Sequence, residues 1–207
     1  MIDFFLDSYK NAPLWHIALE FLVFVFGILS VWFAKKENIL VYPTGLIATV
    51  ISVYLLYVAG YIGDMIINGY FSIMSIYGWY VWGRGGAVED NLPITRTNFN
   101  EKIIGAVLFL VTVFVVFGIY KYFDYEIHND NYVDMISSGI FFAGMWYMAR
   151  KKIENWTLWI IGDIIVVPLY AYRGLGMLSL QYLIFTILAI SAYLEWRKIL
   201  DSKKQLS

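Results

Sequence analysis

Long apolar runs of about 20 residues, separated by short charged segments, constrain this chain more than any other feature. A run of that length is what an α-helix needs to cross the roughly 30 Å of hydrocarbon in a bilayer. Hydrophobic residues make up 60% of the chain and charged residues 15%, whereas soluble domains average about 45–50% and about 25%. The sequence therefore predicts an all-α membrane protein whose single transmembrane domain covers residues 1–207.

Hydropathy and charge together predict seven transmembrane helices, of which the fifth and sixth are short. They cover residues 14–34, 39–59, 62–82, 103–121, 132–149, 156–172 and 176–196. The connections are brief except for residues 83–102, where glycines, a proline and charges indicate a loop.

Lys and Arg are distributed unequally between alternate connections. With the N-terminus outside, twelve of them fall in inner segments and three, Lys10, Lys121 and Arg173, in outer segments. Because cytoplasmic segments carry the excess of Lys and Arg, this predicts an outer N-terminus and a cytoplasmic C-terminus.

Spans one to three resemble spans five to seven at three places. The first and fifth spans end in similar segments, "AKKEN" at 34–38 and "ARKKIEN" at 149–155. The similar positions that follow are Tyr42 with Trp159, Gly45 with Gly162, and Trp82 with Trp196. With the fourth span restoring the direction of the chain, this predicts a 3+1+3 parallel repeat: about 14–82, a linker helix at about 103–121, and about 132–196. Chance similarity of short apolar segments is the alternative.

Polar and aromatic residues share one face of three predicted spans. Steps of three and four residues keep side chains in one narrow stripe of a helix. The stripes are Asp64, Asn68, Ser72, Ser75, Trp79 and Trp82 in the third span, Trp156, Trp159, Asp163 and Tyr170 in the sixth, and Tyr42, Gly45, Thr49 and Ser52 in the second. Because polar residues in spans face the bundle interior or a cavity, we expect these three faces to meet there and to bind a substrate.

Most of these residues also have an explanation that involves no ligand. Trp79, Trp82 and Trp156 lie near span ends, where Trp is common at the membrane interface. Ser and Thr in spans often bond to their own helix or to a neighbour, and Pro43 and Pro168 kink helices as prolines do in many membrane bundles.

Asp163 is harder to explain by structure alone. An ionised carboxylate at mid-span costs about 2.5–3.5 kcal/mol, and no Lys or Arg lies in the interior of a predicted span. The carboxyl group is then neutral, or bonded to groups such as Asn68 or Thr49, or paired with a ligand or a transported ion. The same lack of cations disfavours a phosphorylated substrate, whereas the aromatic faces favour a flat neutral or cationic heterocycle with hydroxyl groups.

The chain lacks the motifs of common enzymes and metal sites. It has no cysteine, no His-Glu-x-x-His and no Gly-x-Ser-x-Gly, and its two histidines fall near span ends. We therefore predict no catalytic residue, no metal, no cofactor and no nucleic-acid partner. A scaffold protein remains an alternative, although a scaffold would not need the polar stripes.

Three segments, "YPTGLIATVISVYLL", "MSIYGWYVWGR" and "ENWTLWIIGDIIVVPLYAYRGL", resemble the Pnu-type vitamin transporters, the nicotinamide riboside transporter family. The resemblance covers about residues 14–198. It implies a bundle similar to the SWEET sugar transporters, a homotrimer in the bacterial inner membrane, and a substrate site at Trp156 and Trp159 with the third helix opposite.

The resemblance also implies an activity. A vitamin would cross the lipid bilayer by facilitated diffusion and alternating access, and a cytoplasmic kinase would then phosphorylate and trap it. The substrate would be nicotinamide riboside, with thiamine or riboflavin as alternatives from other members. Nicotinamide riboside members carry a Gln near the start of the third-helix motif, where this chain has Asn68, so the residues leave the choice of vitamin open.

Overall fold

The computed structural model of the protein describes residues 13–59, 62–83, 92–124 and 126–205. Within these ranges the chain forms seven α-helices, each of which coincides with one predicted span. They are α1 (Leu14–Lys35), α2 (Val41–Ala59), α3 (Ile62–Gly83), α4 (Phe99–Tyr122), α5 (Asn129–Ala149), α6 (Glu154–Tyr172) and α7 (Gly176–Gln205).

Two helices are longer than hydropathy predicts. At the start of α4 the Asn98 side chain accepts a hydrogen bond from the Glu101 N–H at 2.9 Å, and the Glu101 carboxylate accepts one from the Asn98 N–H at 2.9 Å. This capping box sets the helix start ahead of the apolar run. At the other end of the chain α7 continues past residue 196, where Arg197 and Asp201 lie 3.8 Å apart on one exposed face. Hydropathy locates the part of a helix that lies in the membrane and not the ends that continue beyond it, so it does not detect either extension.

Five of the helices are long and apolar enough to cross a membrane by themselves: Leu14–Lys35, Val41–Val58, Phe99–Tyr122, Glu154–Tyr172 and Gly176–Ser202. The sixth predicted span is among them. The helices α3 and α5 fall short because they carry more polar residues, and they pack against each other in the interior, where the Tyr70 and Phe142 rings stack with centroids 3.7 Å apart. Ser75 of α3 and Asp134, Ser137 and Ser138 of α5 are buried there by protein.

Six helices form a closed ring in the order α1, α2, α3, α5, α6, α7, with α7 returning to α1. The helix α4 lies outside this ring and packs mainly on α5, where the Tyr147 side chain lies against Gly105 and its hydroxyl donates to the Glu101 carbonyl oxygen at 3.1 Å. We call α1–α3 the first half and α5–α7 the second half. The halves contact each other along two seams, α1 with α7 and α3 with α5.

The α1–α2 and α5–α6 loops have the same backbone conformation. Glu37 (φ 52°) and Lys151 (φ 49°) both lie in the left-handed region. In each loop the N–H of the next residue bonds at 2.9 Å to a carbonyl group in the last turn of the preceding helix. Both loops lie at one end of the bundle, which we call the basic end because it also carries Lys35, Lys36 and Arg150.

In the first turn of the helix that follows each loop, an aromatic residue packs edge-to-face on a tryptophan of its own half. The ring centroids are 5.1 Å apart for Tyr42 and Trp82, at 87°, and 5.4 Å apart for Trp156 and Trp196, at 86°. Trp156 follows Tyr42, and Trp196 follows Trp82, by the same number of residues as Lys151 follows Glu37. By ring contact and chain separation Tyr42 corresponds to Trp156 and not to Trp159, whereas Gly45 and Gly162 differ in separation from the two loops.

Candidate functional site

Aromatic rings from four helices meet in the interior around Trp159 of α6. The Trp159 ring stacks on Phe141 of α5, with centroids 5.1 Å apart at 29°, and lies 6.2 Å from Phe71 of α3. Phe141 also stacks on Tyr182 of α7 at 6.0 Å, and Tyr182 lies 5.2 Å from Tyr170. We call these five rings the interior aromatic cluster. Because Phe71 belongs to the first half and the others to the second, the cluster joins the two halves.

Gly162 makes room for the Trp159–Phe141 stack. A Cβ atom at Gly162 would clash with the Phe141 ring, whereas one at Gly144 would lie 3.6 Å from the Trp159 indole nitrogen, an ordinary contact distance. Gly162 therefore lets α5 and α6 approach closely, as small residues do in membrane bundles.

Asp163 lies next to this stack with 1% of its surface exposed. Within the described chain neither of its carboxylate oxygens has a hydrogen-bond partner, so neither Asn68 nor Thr49 bonds to it. The buried Trp159 indole N–H, one helical turn earlier, also lacks an acceptor there. Unpaired buried polar groups are costly. One face of α6 thus presents a donor and an acceptor that a ligand can satisfy.

Hydroxyl groups take the comparable place in the first half. The Ser72 hydroxyl oxygen lies 2.9 Å from that of Thr49 and 3.0 Å from the Asn68 carbonyl oxygen. Asp163 follows Thr49 by the same number of residues as Lys151 follows Glu37. Ser75 is buried one turn further along α3, against Gly45 of α2. The interior therefore combines hydroxyl groups on one side with a carboxylate and indole on the other.

Three of the predicted site residues do not belong to the interior aromatic cluster. Trp79 is 44% exposed, so the prediction that it faces the interior is wrong for this chain; it lines an outer groove with Tyr80, as expected for a residue of the membrane interface. Tyr42 and Trp156 are 1% exposed and belong to a packed cluster at the basic end, against which Trp159 also packs. The side chain of Asp64 lies outside the described residues.

The structure adds rings that polar patterning misses, namely Phe71, Phe141 and Tyr182. Phenylalanine in an apolar run is indistinguishable from a lipid-facing residue by composition. Gly162 was the available signal, since a glycine inside a packed helix commonly accommodates a neighbouring ring or backbone. Among the described residues, no group of three or more His, Asp or Glu is placed to hold a metal ion.

A ring of mostly apolar helices, five of them long enough to cross a membrane, is the architecture of a multi-pass membrane protein. The sequence matches the family described as nicotinamide mononucleotide transporter over residues 17–198. The protein belongs to this family of vitamin transporters and is therefore a transporter and not an enzyme.

Individual relatives point the same way. The nicotinamide riboside transporter PnuC of Escherichia coli (strain K12) is 25% identical over 194 residues, which is 82% of this chain and 81% of that protein. The riboflavin/roseoflavin transporter RibM of Streptomyces davaonensis is 25% identical over 128 residues, 59% of this chain and 58% of that protein. A crystal structure of the vitamin B3 transporter PnuC superposes with a TM-score of 0.72 at 19% identity, covering 95% of this chain and 86% of the other. The fold is shared with that transporter.

Proposed function

We propose that the protein carries nicotinamide riboside into the cell across the bacterial inner membrane. One observation carries this proposal: a buried carboxylate without a described partner, Asp163, lies beside the Trp159 ring stack. A cationic aromatic ring suits both features, because it stacks on aromatic faces and its charge compensates a carboxylate that is costly when buried alone. The pyridinium ring of nicotinamide riboside has this chemistry.

The charges of the described chain favour the riboside over the mononucleotide that gives the family its description. Described Lys and Arg residues lie in loops, in terminal turns of helices, or on α7 beyond residue 196. A phosphate group buried in the interior would need such cations. The hydroxyls of Thr49 and Ser72, the amide of Asn68 and the buried Ser75 offer hydrogen bonds to a ribose instead.

Thiamine is the second candidate, because its thiazolium ring is also cationic and aromatic. Riboflavin is neutral and larger, so Asp163 does not favour it, although one relative is a riboflavin/roseoflavin transporter. Titration of the purified protein with all three vitamins tests the assignment directly. Binding of none of them would contradict it.

We expect Trp159→Ala to weaken vitamin binding by about 1–3 kcal/mol, the value of a lost base–aromatic stack. The measurement is quenching of tryptophan fluorescence on titration with nicotinamide riboside. Trp32→Ala is the matched control, since Trp32 is 45% exposed on α1 and should not affect the dissociation constant. Equal affinity of the Trp159 and Trp32 variants would argue against the stacked site.

The architecture we propose is a 3+1+3 parallel repeat of seven spans, assembled as a homotrimer, with the N-terminus outside and the basic end in the cytoplasm. The common loop conformation and the paired contacts of Tyr42–Trp82 and Trp156–Trp196 support the repeat. The ring order supports it too, because exchanging the halves converts the α1–α7 seam into the α5–α3 seam. The excess of Lys and Arg supports the orientation.

We further propose that the two halves rock about the site and that a cytoplasmic kinase traps the imported vitamin. Proteoliposomes without a proton gradient or ATP should then equilibrate nicotinamide riboside, and a kinase with ATP enclosed in the lumen should produce accumulation. Strict dependence of uptake on a proton gradient would overturn this mechanism. Proteoliposomes reconstituted with heat-inactivated protein give the background.

A further inference from the structure

The two halves are joined at the basic end by a reciprocal pair of hydrogen bonds. The Trp82 indole N–H of the first half donates to the Ala149 carbonyl oxygen of the second half at 3.2 Å. The Trp196 indole N–H of the second half donates to the Lys35 carbonyl oxygen of the first half at 3.1 Å. Each acceptor is the last residue of the first helix in its half, so each loop is held by the opposite half.

A partly buried ion pair joins the same two loops. The Lys151 ammonium lies 3.2 Å from a carboxylate oxygen of Glu37 and 4.5 Å from the centroid of the Trp82 ring. Lys151 is 5% exposed, whereas the Glu37 side chain is 30% exposed. Removing Glu37 leaves the Lys151 charge buried and uncompensated, so this contact resists separation of the halves more than a fully exposed pair would.

Residues 92–98, which we call the strap, cover this junction. The Thr95 N–H donates to the Lys151 carbonyl oxygen at 3.1 Å, and the Ile153 N–H donates to the Thr95 carbonyl oxygen at 3.0 Å. These bonds fasten the strap to the α5–α6 loop of the second half. Its Ile94 side chain is 1% exposed and packs in the cluster that contains Trp82 and Trp196.

The closed junction also contains polar groups that favour opening. In the described chain the Tyr42 hydroxyl, the Trp156 indole N–H and the Asn155 side-chain oxygen are buried there without partners. Each is a destabilising term that water would relieve. The contacts between the halves stabilise the closed arrangement, and the unsatisfied groups beneath them destabilise it. An element that changes between two arrangements needs both contributions.

The polar contacts at the opposite end are arranged differently. Arg173, in the α6–α7 turn, lies 2.8 Å from Asp130 at the start of α5, and both belong to the second half. Rocking of one half against the other can leave this pair intact, whereas it must break the contacts at the basic end.

We propose that Trp82, Trp196, the Glu37–Lys151 pair and Ile94 form a gate that closes the basic end. The path from the Trp159 site to that side opens only when these contacts break. That these contacts act as a gate during transport rests on the proposed function. The opening itself is measurable without any substrate.

Cross-linking tests whether the gate must open. The natural chain has no cysteine, so Glu37→Cys with Lys151→Cys can be joined through two disulfide bonds by a short bis-methanethiosulfonate reagent that spans the ion pair it replaces and is removed by reduction. We expect the cross-linked protein to bind vitamin and lose uptake to the level of protein-free vesicles, with recovery on reduction. The control is Glu101→Cys with Lys152→Cys, an ion pair of 2.8 Å between α4 and the second half, whose cross-link should leave uptake unchanged. Uptake by the cross-linked Glu37/Lys151 variant would overturn the proposal.

Labelling tests the gate independently of transport. Ala189→Cys places a thiol at a position that is 1% exposed in the cluster beneath Trp196. Its reaction with a maleimide added on the basic side should be faster when combined with Ile94→Ala or Trp82→Phe, and unchanged when combined with Gly118→Ala on the outer helix α4. An unchanged rate in both gate variants would contradict the gate. Faster labelling without binding of any vitamin would retain the gate and reject the proposed substrate.

Discussion

Asp163→Asn is expected to weaken binding of nicotinamide riboside by about 2–5 kcal/mol, the cost of truncating one partner of a buried charge pair. Asparagine has nearly the same shape as aspartate, so the helix packing around residue 163 should be retained. Binding of thiamine should weaken similarly, because its ring is also cationic, whereas binding of a neutral vitamin should change little. Fluorescence titration with the three vitamins measures all of these effects.

Asp134 provides a matched control for Asp163. It is also a buried carboxylate, with 7% exposure, but it has protein partners: the Tyr120 hydroxyl at 3.3 Å and the Arg173 guanidinium at 3.9 Å. Asp134→Asn should therefore leave the dissociation constant unchanged. If Asp163→Asn bound a cationic vitamin as tightly as the natural protein does, the carboxylate would have a structural role and the charge argument would fail.

Gly162→Ala is expected to displace the Phe141 ring from its stack with Trp159, because the added Cβ would clash with that ring. Overpacking of this kind costs about 1–3 kcal/mol. The loss should appear as a lower melting temperature, a weaker vitamin affinity, or both. Thermal unfolding in detergent and the fluorescence titration separate these outcomes.

Gly118→Ala is the control for Gly162→Ala, since nothing lies within 4 Å of a Cβ at Gly118 of α4. Alanine is favoured over glycine in a helix by roughly 0.5–1 kcal/mol, so this control also measures the gain from propensity alone. A Gly162 variant that matched the Gly118 variant in stability and affinity would show that Phe141 relaxes without cost.

The helices could be predicted because the length of each apolar run, bounded by charged segments, corresponds to the thickness of the bilayer. The rotation of a helix about its axis was less accessible. Ser75, Trp79 and Trp82 share one stripe of α3, yet Ser75 and Trp82 are buried while Trp79 is 44% exposed. Which part of a stripe is covered depends on the neighbouring helices, and that information is distributed over the whole bundle.

The position of Asp163 within the interior was predictable because a carboxylate in a span is costly and faces protein. The residues that surround Asp163 could be predicted only in part. Trp159 was expected beside it, whereas Phe141 gave no signal of its own. The correspondence of residues between the halves was not accessible in the same detail, because the backbone conformation that Glu37 and Lys151 share leaves no signal in the sequence, whereas identical residues such as Gly45 and Gly162 do.

That shared conformation gives Glu37 and Lys151 the same position in their two loops. In a dimer of identical three-helix chains about a two-fold axis, the same side chain would occupy both positions, and two glutamates or two lysines would repel. The attraction seen here requires that the two loops be encoded separately. In the proposed 3+1+3 repeat, a single chain can therefore hold a complementary contact that a symmetric dimer could not. In that proposal the helix α4, outside the ring, lets both halves run in the same direction.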